Sequence, residues 1–448
     1  MILMQQSLID EEKYAELSKV KFLVGCIVNE EKSIDLSALL DTKALQPFDE
    51  RIVDFLNLVS KKLRENREAK AYPDIVTLAF FMRKASIMQL RDRFVGRDSV
   101  SCINLDRACE KVLVEDAKQE DINKLILGRG IAFHIAPSNV PVNFAYSLVT
   151  GLVTGNVNIV RVPSKEFPQV NIIVKAINDA LDENPFMKPY IYLVKYERNQ
   201  LVNDIFSALC DTRIIWGGDS TIAEIRKSPL PPRSTEVTFA DRYSLAIIDS
   251  DEYMSLEDKD RFAEGFYNDT YLSDQNACTS PRVIAWIGNC REEAKEIFWE
   301  KLHKLVDSKY TFQPIMGVNK LTNSYILLAK CMDEKSDYNP KILPSEDNLI
   351  MRIAVDKVDS KLMDYKDNSG YFFEVDIEDV IELKELCNDN HCQTVGFLGK
   401  RESIIPLLTS GIKGVDRVVP IGKTMDFDFI WDGYNLFERL TRIVAIGV

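Results

Sequence analysis

No Cys-x-x-Cys pair occurs among the nine cysteines of this 448-residue sequence, and their number is odd. A disulfide framework and a zinc site built from paired cysteines are therefore not expected. Scattered, unpaired cysteines are typical of proteins from a reducing compartment. We expect a cytoplasmic protein with no bound metal.

The sequence also lacks an excess of positive charge, since its formal net charge is −13. Nucleic-acid binding depends on clustered Lys and Arg side chains, so nucleic acid is not expected as a partner. An anionic small molecule held by a local basic pocket is still compatible with this charge. Apolar residues make up 46% of the chain, enough for a large core in two or three domains.

No signal peptide is recognisable, because the N-terminus MILMQQSLIDEEKY lacks a basic start and a long apolar core. One stretch resembles a membrane span, since residues 130–160 contain no Asp, Glu, Lys or Arg. Prolines, glycines and asparagines interrupt it, however, whereas spanning helices are continuously apolar. The stretch predicts a buried strand, a loop, a buried helix and a second strand, and no membrane span.

Strand and helix patterns alternate from about residue 128 to residue 250. Short apolar runs such as IAFHI, NIVRV and IYLV are each followed by a segment with helical character. This alternation predicts a parallel, doubly wound sheet that binds its ligand at the carboxyl ends of the strands. The first hundred residues are expected to be mainly helical, with helices from about Pro47 and from Pro73 through Leu90. A second α/β domain is expected from about residue 250, and the tail is expected to end in a helix.

Two loops contain the candidate chemical groups. Cys278 stands alone in the polar loop DQNACTSP, and Asn139 follows a buried strand in APSNVPVN. A cysteine can act as the nucleophile of acyl transfer, while the Asn139 amide and the Cys278 backbone N–H can stabilise the oxyanion. On spacing alone, a lone cysteine such as Cys278 is more often a small buried hydrophobe, and an asparagine such as Asn139 is more often a turn residue.

Three longer motifs resemble a known family: IAPSNVPVNFAYSLVTGLVTGNVNIVRVPSK, DQNACTSPRVIAWIG and GVDRVVPIGKTMDFDFIWDG. They are similar to LuxC-like acyl-CoA reductases of the aldehyde dehydrogenase superfamily, and the resemblance runs from about residue 70 to the end. It implies an aldehyde dehydrogenase-like α/β fold with a small oligomerisation element, and a homo-oligomer (dimer or tetramer). The implied domains are an N-terminal helical segment with a doubly wound dinucleotide-binding domain over 1–245, an α/β catalytic domain over 246–415, and a C-terminal segment over 416–448 that packs back on the cofactor domain or an oligomer interface.

The resemblance also implies the site residues. The nucleophile of the family falls on Cys278 and its oxyanion asparagine on Asn139. The cofactor-binding residues fall in RVPSK and WGGDS, namely Arg161, Pro163, Ser164, Lys165, Gly217 and Gly218.

The implied cofactor is NADPH, because Arg161 and Lys165 could meet a 2′-phosphate and the N–H groups after the glycine turn favour phosphate. Val162 stands where the superfamily commonly has a lysine, so the 2′-phosphate ligand is not assigned. Lys165 could equally be a solvated loop charge.

One departure from the superfamily bears on the reaction. Hydrolytic aldehyde dehydrogenases carry a glutamate that activates water, whereas the matching stretch TFADRYSLAII has no glutamate at that point. Without a positioned base, hydrolysis of a thioester should be slow. We therefore expect an NADPH-dependent enzyme that reduces a fatty acyl-CoA thioester, or an acyl group brought by an acyl-carrying partner enzyme, to the aldehyde through a cysteine acyl-enzyme.

Two alternatives stay open at this point. One is an NAD(P)-dependent aldehyde dehydrogenase that produces the acid, and the other is a non-redox acyl-binding subunit on the same fold. His134 lies in an apolar strand just before the Asn139 loop. We interpret it as a buried, hydrogen-bonded structural histidine.

Overall fold

The computed structural model describes residues 15–27, 35–95, 124–138, 140–334, 338–345 and 347–446. The chain divides into two compact units. The first extends to Ala240 and resumes at Tyr434, and the second runs from Asp241 to Gly433. The chain therefore leaves the first unit and returns to it for its last segment.

The strands are, in chain order, β1 (Lys21–Val24), β2 (Lys124–Gly128), β3 (Ile131–Ile135), β4 (Val157–Arg161), β5 (Ile191–Lys195), β6 (Thr212–Trp216), β7 (Thr235–Phe239), β8 (Tyr243–Asp249), β9 (Pro281–Ile287), β10 (Lys341–Ile342), β11 (Met351–Ala354), β12 (Tyr371–Asp376), β13 (Cys392–Leu398), β14 (Arg417–Pro420), β15 (Ile430–Trp431), β16 (Tyr434–Asn435) and β17 (Thr441–Ala445). The α-helices are α1 (Ser37–Asp41), α2 (Glu50–Glu65), α3 (Pro73–Phe81), α4 (Lys84–Phe94), α5 (Asn143–Val153), α6 (Pro168–Glu183), α7 (Gln200–Leu209), α8 (Asp219–Ile225), α9 (Ser250–Ser255), α10 (Lys259–Thr270), α11 (Arg291–Lys309), α12 (Pro314–Glu334), α13 (Lys384–Cys387), α14 (Arg401–Leu408) and α15 (Leu436–Leu440).

The first unit contains a six-stranded sheet with the order β1-β5-β4-β3-β6-β7. The strands from β3 to β7 are parallel, and β1 joins the edge antiparallel to β5. Every residue of β3 is buried, as expected of a parallel sheet covered on both faces by helices. Strand order reverses at β3 and β6, which are neighbours. Doubly wound sheets bind their ligands at such a switch point, outside the carboxyl ends of the strands.

Helices connect the parallel strands of this sheet. α5 follows β3 and ends before Gly155, whose φ of +85° lies in the left-handed region. A Cβ at Gly155 would lie 2.2 Å from the carbonyl oxygen of Leu45, so both the backbone conformation and the close approach require glycine. α2 begins after Asp49, whose carboxylate accepts a hydrogen bond from the Arg51 backbone N–H and caps the helix.

The second unit contains a seven-stranded sheet with the order β10-β11-β12-β9-β8-β13-β14. β10 is antiparallel to β11, and the other neighbouring strands are parallel. Successive residues of β8 enter different hydrophobic cores: Leu245 and Ile247 join one core, and Ala246 and Ile248 join the other. The sheet is therefore buried on both faces, which explains why its strands read as continuous apolar runs.

The C-terminal residues return to the first unit. β17 pairs antiparallel with β2. Asn156 Nδ2 donates to the Leu440 carbonyl oxygen at 3.0 Å, and Arg129 Nε donates to the Arg439 carbonyl oxygen at 2.6 Å. These contacts attach the tail to the loop that precedes β4 and to the turn between β2 and β3.

Several elements differ from the expectations. The tail ends in β17 after α15, because the short strand β2 provides a pairing partner. Residues 416–433, expected in the C-terminal segment, lie in the second unit because β14 pairs with β13, and the first boundary falls at Ala240 instead of residue 245. The largely helical N-terminal region also contributes β1.

Two helix boundaries also differ from the expectations. The segment expected as one helix from Pro73 through Leu90 forms α3 and α4, and α2 begins at Glu50, after Phe48 with its φ of 58°.

Across the described ranges, we find no helix that combines the length and apolar character needed to cross a membrane. The uncharged stretch 130–160 forms β3, α5 and most of β4, as the interrupted pattern predicted.

Candidate active site

The carboxyl ends of β3, β4 and β6 lie side by side in the first sheet. Ile135 pairs with Arg161 of β4 and with Ile215 of β6. The loops after these strands carry the residues expected to bind the cofactor, including Lys165 and Gly217. The fold therefore brings these loops to the edge where doubly wound sheets bind their ligands.

A buried polar network lies beneath this edge. His134 Nδ1 is 2.7 Å from Ser147 Oγ, and its Nε2 is 3.0 Å from Asn158 Oδ1. Asn158 Nδ2 donates to the Asn156 carbonyl oxygen at 2.7 Å, so Oδ1 is the acceptor and His134 Nε2 carries the proton. Ser147 Oγ in turn accepts from Trp216 Nε1 at 3.1 Å. Burial lowers the pKa of His134 to about 4, so the imidazole is neutral and structural, as interpreted from the sequence.

Arg161, at the end of β4, is held against Tyr196. Its Nη2 donates to the Tyr196 carbonyl oxygen at 3.2 Å, and its Cζ lies 4.5 Å from the centre of the Tyr196 ring. Val162 is buried, and its N–H donates to the Val194 carbonyl oxygen at 2.9 Å. The residue in the place of the common superfamily lysine therefore continues the packing of the sheet.

Lys165 is the exposed cation of the same loop. Its Nζ lies 5.2 Å from the centre of the Phe167 ring. Pro163 is buried and Ser164 is half-buried. Of the two candidate ligands for a 2′-phosphate, Lys165 is thus the one that faces solvent, whereas Arg161 has a structural partner.

Gly217 and Gly218 form the turn between β6 and α8. The Gly217 N–H donates to the Phe239 carbonyl oxygen at 3.0 Å, and the Gly218 carbonyl oxygen accepts from the Thr221 N–H at 2.8 Å. A Cβ at Gly217 would lie 3.1 Å from Thr221 Cγ2, so a larger residue would require Thr221 to shift by a few tenths of an ångström. α8 has seven residues and carries Asp219 in its first turn, a charge that opposes an anion at a helix N-terminus. Phosphate binding at this turn stays a prediction.

Asn139, the expected oxyanion residue, lies outside the residues that the structure describes. The described part of its loop leads into α5, whose first residue is Asn143. Asn143 Oδ1 is buried and has no hydrogen-bond partner among the described residues. The oxyanion role of Asn139 therefore stays a prediction from the resemblance.

Cys278 lies in the loop before β9, at the amino edge of the second sheet. Gln275 anchors this loop with a fully buried side chain. Its Nε2 donates to the carbonyl oxygens of Pro281 (2.9 Å) and Tyr371 (3.1 Å), and its Oε1 accepts from the N–H groups of Gly370 (3.0 Å) and Tyr371 (3.1 Å). The amide thus uses all of its hydrogen-bonding capacity to attach the loop to the start of β12.

Arg282 is a second anchor of the Cys278 loop. Its guanidinium is buried and donates to the carbonyl oxygens of Gln275 and Asp367, and to Asn368 Oδ1 at 2.7 Å. Ser244, at the start of β8, fixes the other side of the loop, because its Oγ donates to the Cys278 carbonyl oxygen at 2.7 Å. The nucleophile candidate is thus held through the backbone on both sides.

The strand register shifts on both sides of Ser244. Arg282 is the extra residue of β9 in its pairing with β8, and Gln393 and Thr394 together stand opposite Ser244 in the pairing of β13 with β8. A bulge redirects a side chain and is enriched next to active sites. Here the bulged residue Arg282 donates to the Gln275 carbonyl oxygen in the Cys278 loop. The N–H of the bulged residue Thr394 donates to Ser244 Oγ, which itself donates to the Cys278 carbonyl oxygen.

The Cys278 thiol is desolvated, although the residue keeps some exposed surface. Burial, together with the negative charge of Asp432, raises the pKa of Cys278 to about 12. A hydrogen bond from Gln393 and the backbone N–H groups of Cys278 and Thr279 oppose this rise in pKa. The cysteine is therefore a neutral thiol at pH 7 and must lose its proton to attack a carbonyl carbon.

Gln393, Asp432 and Arg282 were not identified from the sequence. A charged residue inside the apolar run RVIAWIG was one available signal for Arg282, since an unpaired charge is costly in a buried strand. Gln393 and Asp432 carry no comparable local signal. Each influences the pKa of Cys278 from a segment that is far from it in the chain.

Comparisons with known proteins agree with this architecture. A family model described as Acyl-CoA reductase (LuxC) matches residues 46–443. The long-chain acyl-protein thioester reductase of Aliivibrio fischeri is 24% identical over 356 residues, covering 77% of this chain and 69% of the relative. The protein with the same name from Vibrio harveyi is 23% identical over 327 residues, covering 71% of this chain and 64% of the relative. The chain thus matches less than two thirds of the length of that second relative.

Solved structures with the same fold are aldehyde dehydrogenases. A Thermus 1-pyrroline-5-carboxylate dehydrogenase with bound NAD has a TM-score of 0.56 at 15% identity, covering 92% of this chain and 83% of the other. A benzaldehyde dehydrogenase from Corynebacterium glutamicum has a TM-score of 0.57 at 14% identity, covering 96% of this chain and 95% of the other. The fold is therefore the α/β fold of aldehyde dehydrogenases, and since the family model spans most of its length, the chain belongs to the LuxC family of acyl-CoA reductases.

Proposed function

We propose that the protein reduces a fatty acyl thioester to the aldehyde through a covalent acyl-enzyme on Cys278. The observation that carries the proposal is the position of this cysteine, which is held through its loop by Gln275, Arg282 and Ser244 in a desolvated site. A thiol fixed in this way can present its sulfur to a carbonyl carbon with little loss of entropy. Membership of the acyl-CoA reductase family supports the same assignment.

The proposed acylation forms a bond between the Cys278 sulfur and the acyl carbon and breaks the thioester bond of the donor. The proton of the Cys278 thiol ends on the sulfur of the leaving thiol. Asn139 and the Cys278 backbone N–H are the proposed donors to the oxyanion of the tetrahedral intermediate. Cys278 takes up a proton again when the aldehyde is released.

The proposed cofactor is NADPH, held at the carboxyl edge of the first sheet by Pro163, Ser164, Gly217 and Gly218. When bound, NADPH would supply the hydride that reduces the acyl group. The residues fit such a cofactor, since Lys165 is an exposed cation in the loop after β4 and Arg161 is half-buried beside it. A 2′-phosphate would bind through Lys165 first, because Arg161 already donates to Tyr196.

The proposed acyl donor is a fatty acyl-CoA. The names of the relatives point to a second source, an acyl chain carried as a thioester on a partner protein. Both donors present the same chemistry to Cys278, a thioester carbonyl and a thiol leaving group. We propose a cytoplasmic homo-oligomer, a dimer or tetramer, that accepts either donor.

Hydrolysis of the acyl-enzyme is disfavoured, because TFADRYSLAII offers no glutamate to activate water. The test is to incubate the purified protein with long-chain acyl-CoA and NADPH and to measure absorbance at the nicotinamide band together with the aldehyde. The proposal predicts one aldehyde for each NADPH consumed and no turnover by C278A. NAD(P)⁺-dependent acid formation from an aldehyde would support the dehydrogenase alternative. Acylation of Cys278 without hydride transfer would support the non-redox alternative.

Assays with different acyl donors and different cofactors test which thioester and which nicotinamide nucleotide the enzyme prefers. Acyl-CoA and an acylated carrier protein are compared at equal thioester concentration, and NADPH is compared with NADH. The proposal predicts a higher kcat/KM with NADPH than with NADH. Equal kcat/KM values for the two cofactors would contradict the assignment of NADPH while leaving the reductase activity in place.

A further inference from the structure

Helix α12 of the second unit is apolar on both its inner and its outer face. On the inner face, Leu327 is fully buried in a hydrophobic core of the unit, and Leu321 and Cys331 pack against the same core. The outer face also carries large apolar side chains, which are 45–83% exposed: Ile315, Val318, Tyr325, Ile326 and Met332. A helix that is apolar all round is normally buried on all sides. The outer face is therefore expected to be covered by a partner.

The inner face of α12 is also fixed by polar contacts. The buried Lys320 donates from its Nζ to the Ser369 carbonyl oxygen at 2.8 Å and to the Asn348 carbonyl oxygen. Asn323 Nδ2 donates to Asp367 Oδ2 at 2.7 Å. The helix is thus ordered before any partner binds, and an ordered surface loses little conformational entropy on association.

The outer face has the residue spacing of a helix–helix seam. Its exposed positions follow one another at intervals of three, four, three, four and three residues, and they form an outer row of Ile315, Val318, Thr322, Tyr325, Ala329 and Met332. This alternation is the a/d spacing of a coiled coil, in which the side chains of one helix fit between those of another. The Thr322 hydroxyl donates to the Val318 carbonyl oxygen at 2.8 Å, so it can be buried without an unsatisfied donor. The occupant that fits this row is another α-helix.

The outer row has the same spacing in both directions, which points to a second copy of α12 as the occupant. In an antiparallel pair, Ile315 lies opposite the partner subunit's Met332, and Thr322 lies opposite the partner subunit's Tyr325. Each contact then occurs twice, as in the isologous interface of a two-fold dimer. A small side chain also meets a large one at the centre, as in well-packed helix pairs.

Charge does not oppose this self-pairing. From residue 315 to residue 329, α12 contains a single charged residue, Lys320, and its side chain is buried on the inner face. The positions beside a seam often carry the charges that select a foreign partner, but here they are Asn319, Leu321, Ile326 and Leu328. Two copies of a chain with a net charge of −13 repel each other, so an uncharged face is where they can approach most easily.

We propose that the outer row of α12 is the contact through which two copies of this chain pair antiparallel about a two-fold axis. This inference rests on the homo-oligomer proposed above and names the surface that forms it. In a dimer the outer row lies at the subunit interface, and in a tetramer it forms one of the interfaces.

The first test is sedimentation of the full chain over a series of protein concentrations. V318E/Y325E places negative charges on the outer rows of both copies and should halve the molar mass at a concentration where the parent is assembled, because like charges repel across an interface. The matched control is I405E, which changes a 42% exposed isoleucine of α14 in the same unit and should leave the molar mass unchanged. A parental mass for V318E/Y325E, or a monomeric parent, would overturn the proposal.

A second test examines the direction of the pair and decides the matter if V318E/Y325E does not fold. T322C and Y325C proteins are mixed and oxidised with copper phenanthroline, and the linked peptides are identified by mass spectrometry, so the native cysteines do not interfere. We expect a disulfide between residue 322 of one copy and residue 325 of the other. The control mixture of I405C and Y325C should give no such link. Links between two T322C peptides alone would indicate a parallel pair and contradict the proposal.

The reductase assay on the same proteins keeps this proposal separate from the proposed function. An active parent whose molar mass does not change in V318E/Y325E would refute the α12 contact alone. A parent that forms no aldehyde, but whose assembly V318E/Y325E still disrupts, would refute the proposed reduction and retain the contact.

Discussion

Each unit carries its candidate groups at one edge of its own sheet. These groups lie at the carboxyl edge in the first unit and at the amino edge in the second, and their electrostatic surroundings differ. In the first unit the loops leave the carboxyl ends of β3, β4 and β6, above a buried network of neutral groups around His134. In the second unit Cys278 lies at the amino edge, among the buried charged side chains of Arg282 and Asp432.

The difference fits the two tasks proposed for the units. Binding a dinucleotide at a sheet edge relies on backbone N–H groups and exposed cations, so the core beneath can be neutral. A reactive thiol in a desolvated site needs its loop fixed and its protonation controlled, and both requirements introduce buried charges and bulges. The buried network around His134 therefore consists of neutral groups, whereas the surroundings of Cys278 include buried charged groups.

The largest effect should come from removing the buried guanidinium of Arg282 in the second unit. R282M should lower the free energy of unfolding by about 3–5 kcal/mol, because it leaves the carbonyl oxygens of Gln275 and Asp367 without their donor. R161M in the first unit is the matched comparison and should lose about 1 kcal/mol, since it removes one hydrogen bond and one ring contact. Urea unfolding measures the free energy of unfolding of both variants. Equal losses in R282M and R161M would contradict the contrast between the two units.

The pH dependence of stability should have opposite signs for the two buried groups His134 and Asp269. Burial lowers the pKa of His134 from 6.5 to about 4, so its contribution to stability is present above pH 6.5 and is lost as the pH falls to about 4. Burial raises the pKa of Asp269 from 3.8 to about 7, so its contribution is present below pH 3.8 and is lost as the pH rises to about 7.

Relative to the parent, H134Q should therefore gain stability as the pH falls from 7 to 4, and D269N should gain stability as the pH rises over the same interval. Each change should be on the order of 2–3 kcal/mol. Urea unfolding at several pH values measures the differences. If the stability difference from the parent changed with pH in the same direction for H134Q and D269N, the prediction of opposite pH dependences would be wrong.

The smallest effect should be on cofactor preference. K165A removes the exposed cation after β4 and should raise the KM for NADPH about two- to fivefold while leaving that for NADH unchanged, because an exposed charge contributes only about 0.2–1 kcal/mol. Steady-state kinetics with both cofactors measure the change. An equal increase of both KM values would show that Lys165 supports the loop and does not recognise a 2′-phosphate.

The sequence predicted the first unit well and the second only in part. The alternation of apolar runs and helical segments from residue 128 onwards corresponds to β3 through β7 with the intervening helices, because local periodicity determines such elements. The assignment of residues 416–433 did not match, since β14 is placed by its pairing with β13, a contact that short-range patterns do not reveal. The strand β17 shows the same dependence, because it needs β2 as a partner.

The sequence by itself determined the family, the doubly wound sheet and the identity of Cys278 as the candidate nucleophile, since these depend on motifs and on the local spacing of apolar residues. Only the tertiary structure decided what surrounds that thiol. Gln393 and Asp432 are more than a hundred residues from Cys278 in the chain, yet both influence the pKa of its thiol in the folded protein. Desolvation and charge act through space, so their effect on a pKa depends on the folded arrangement and not on the order of residues along the chain.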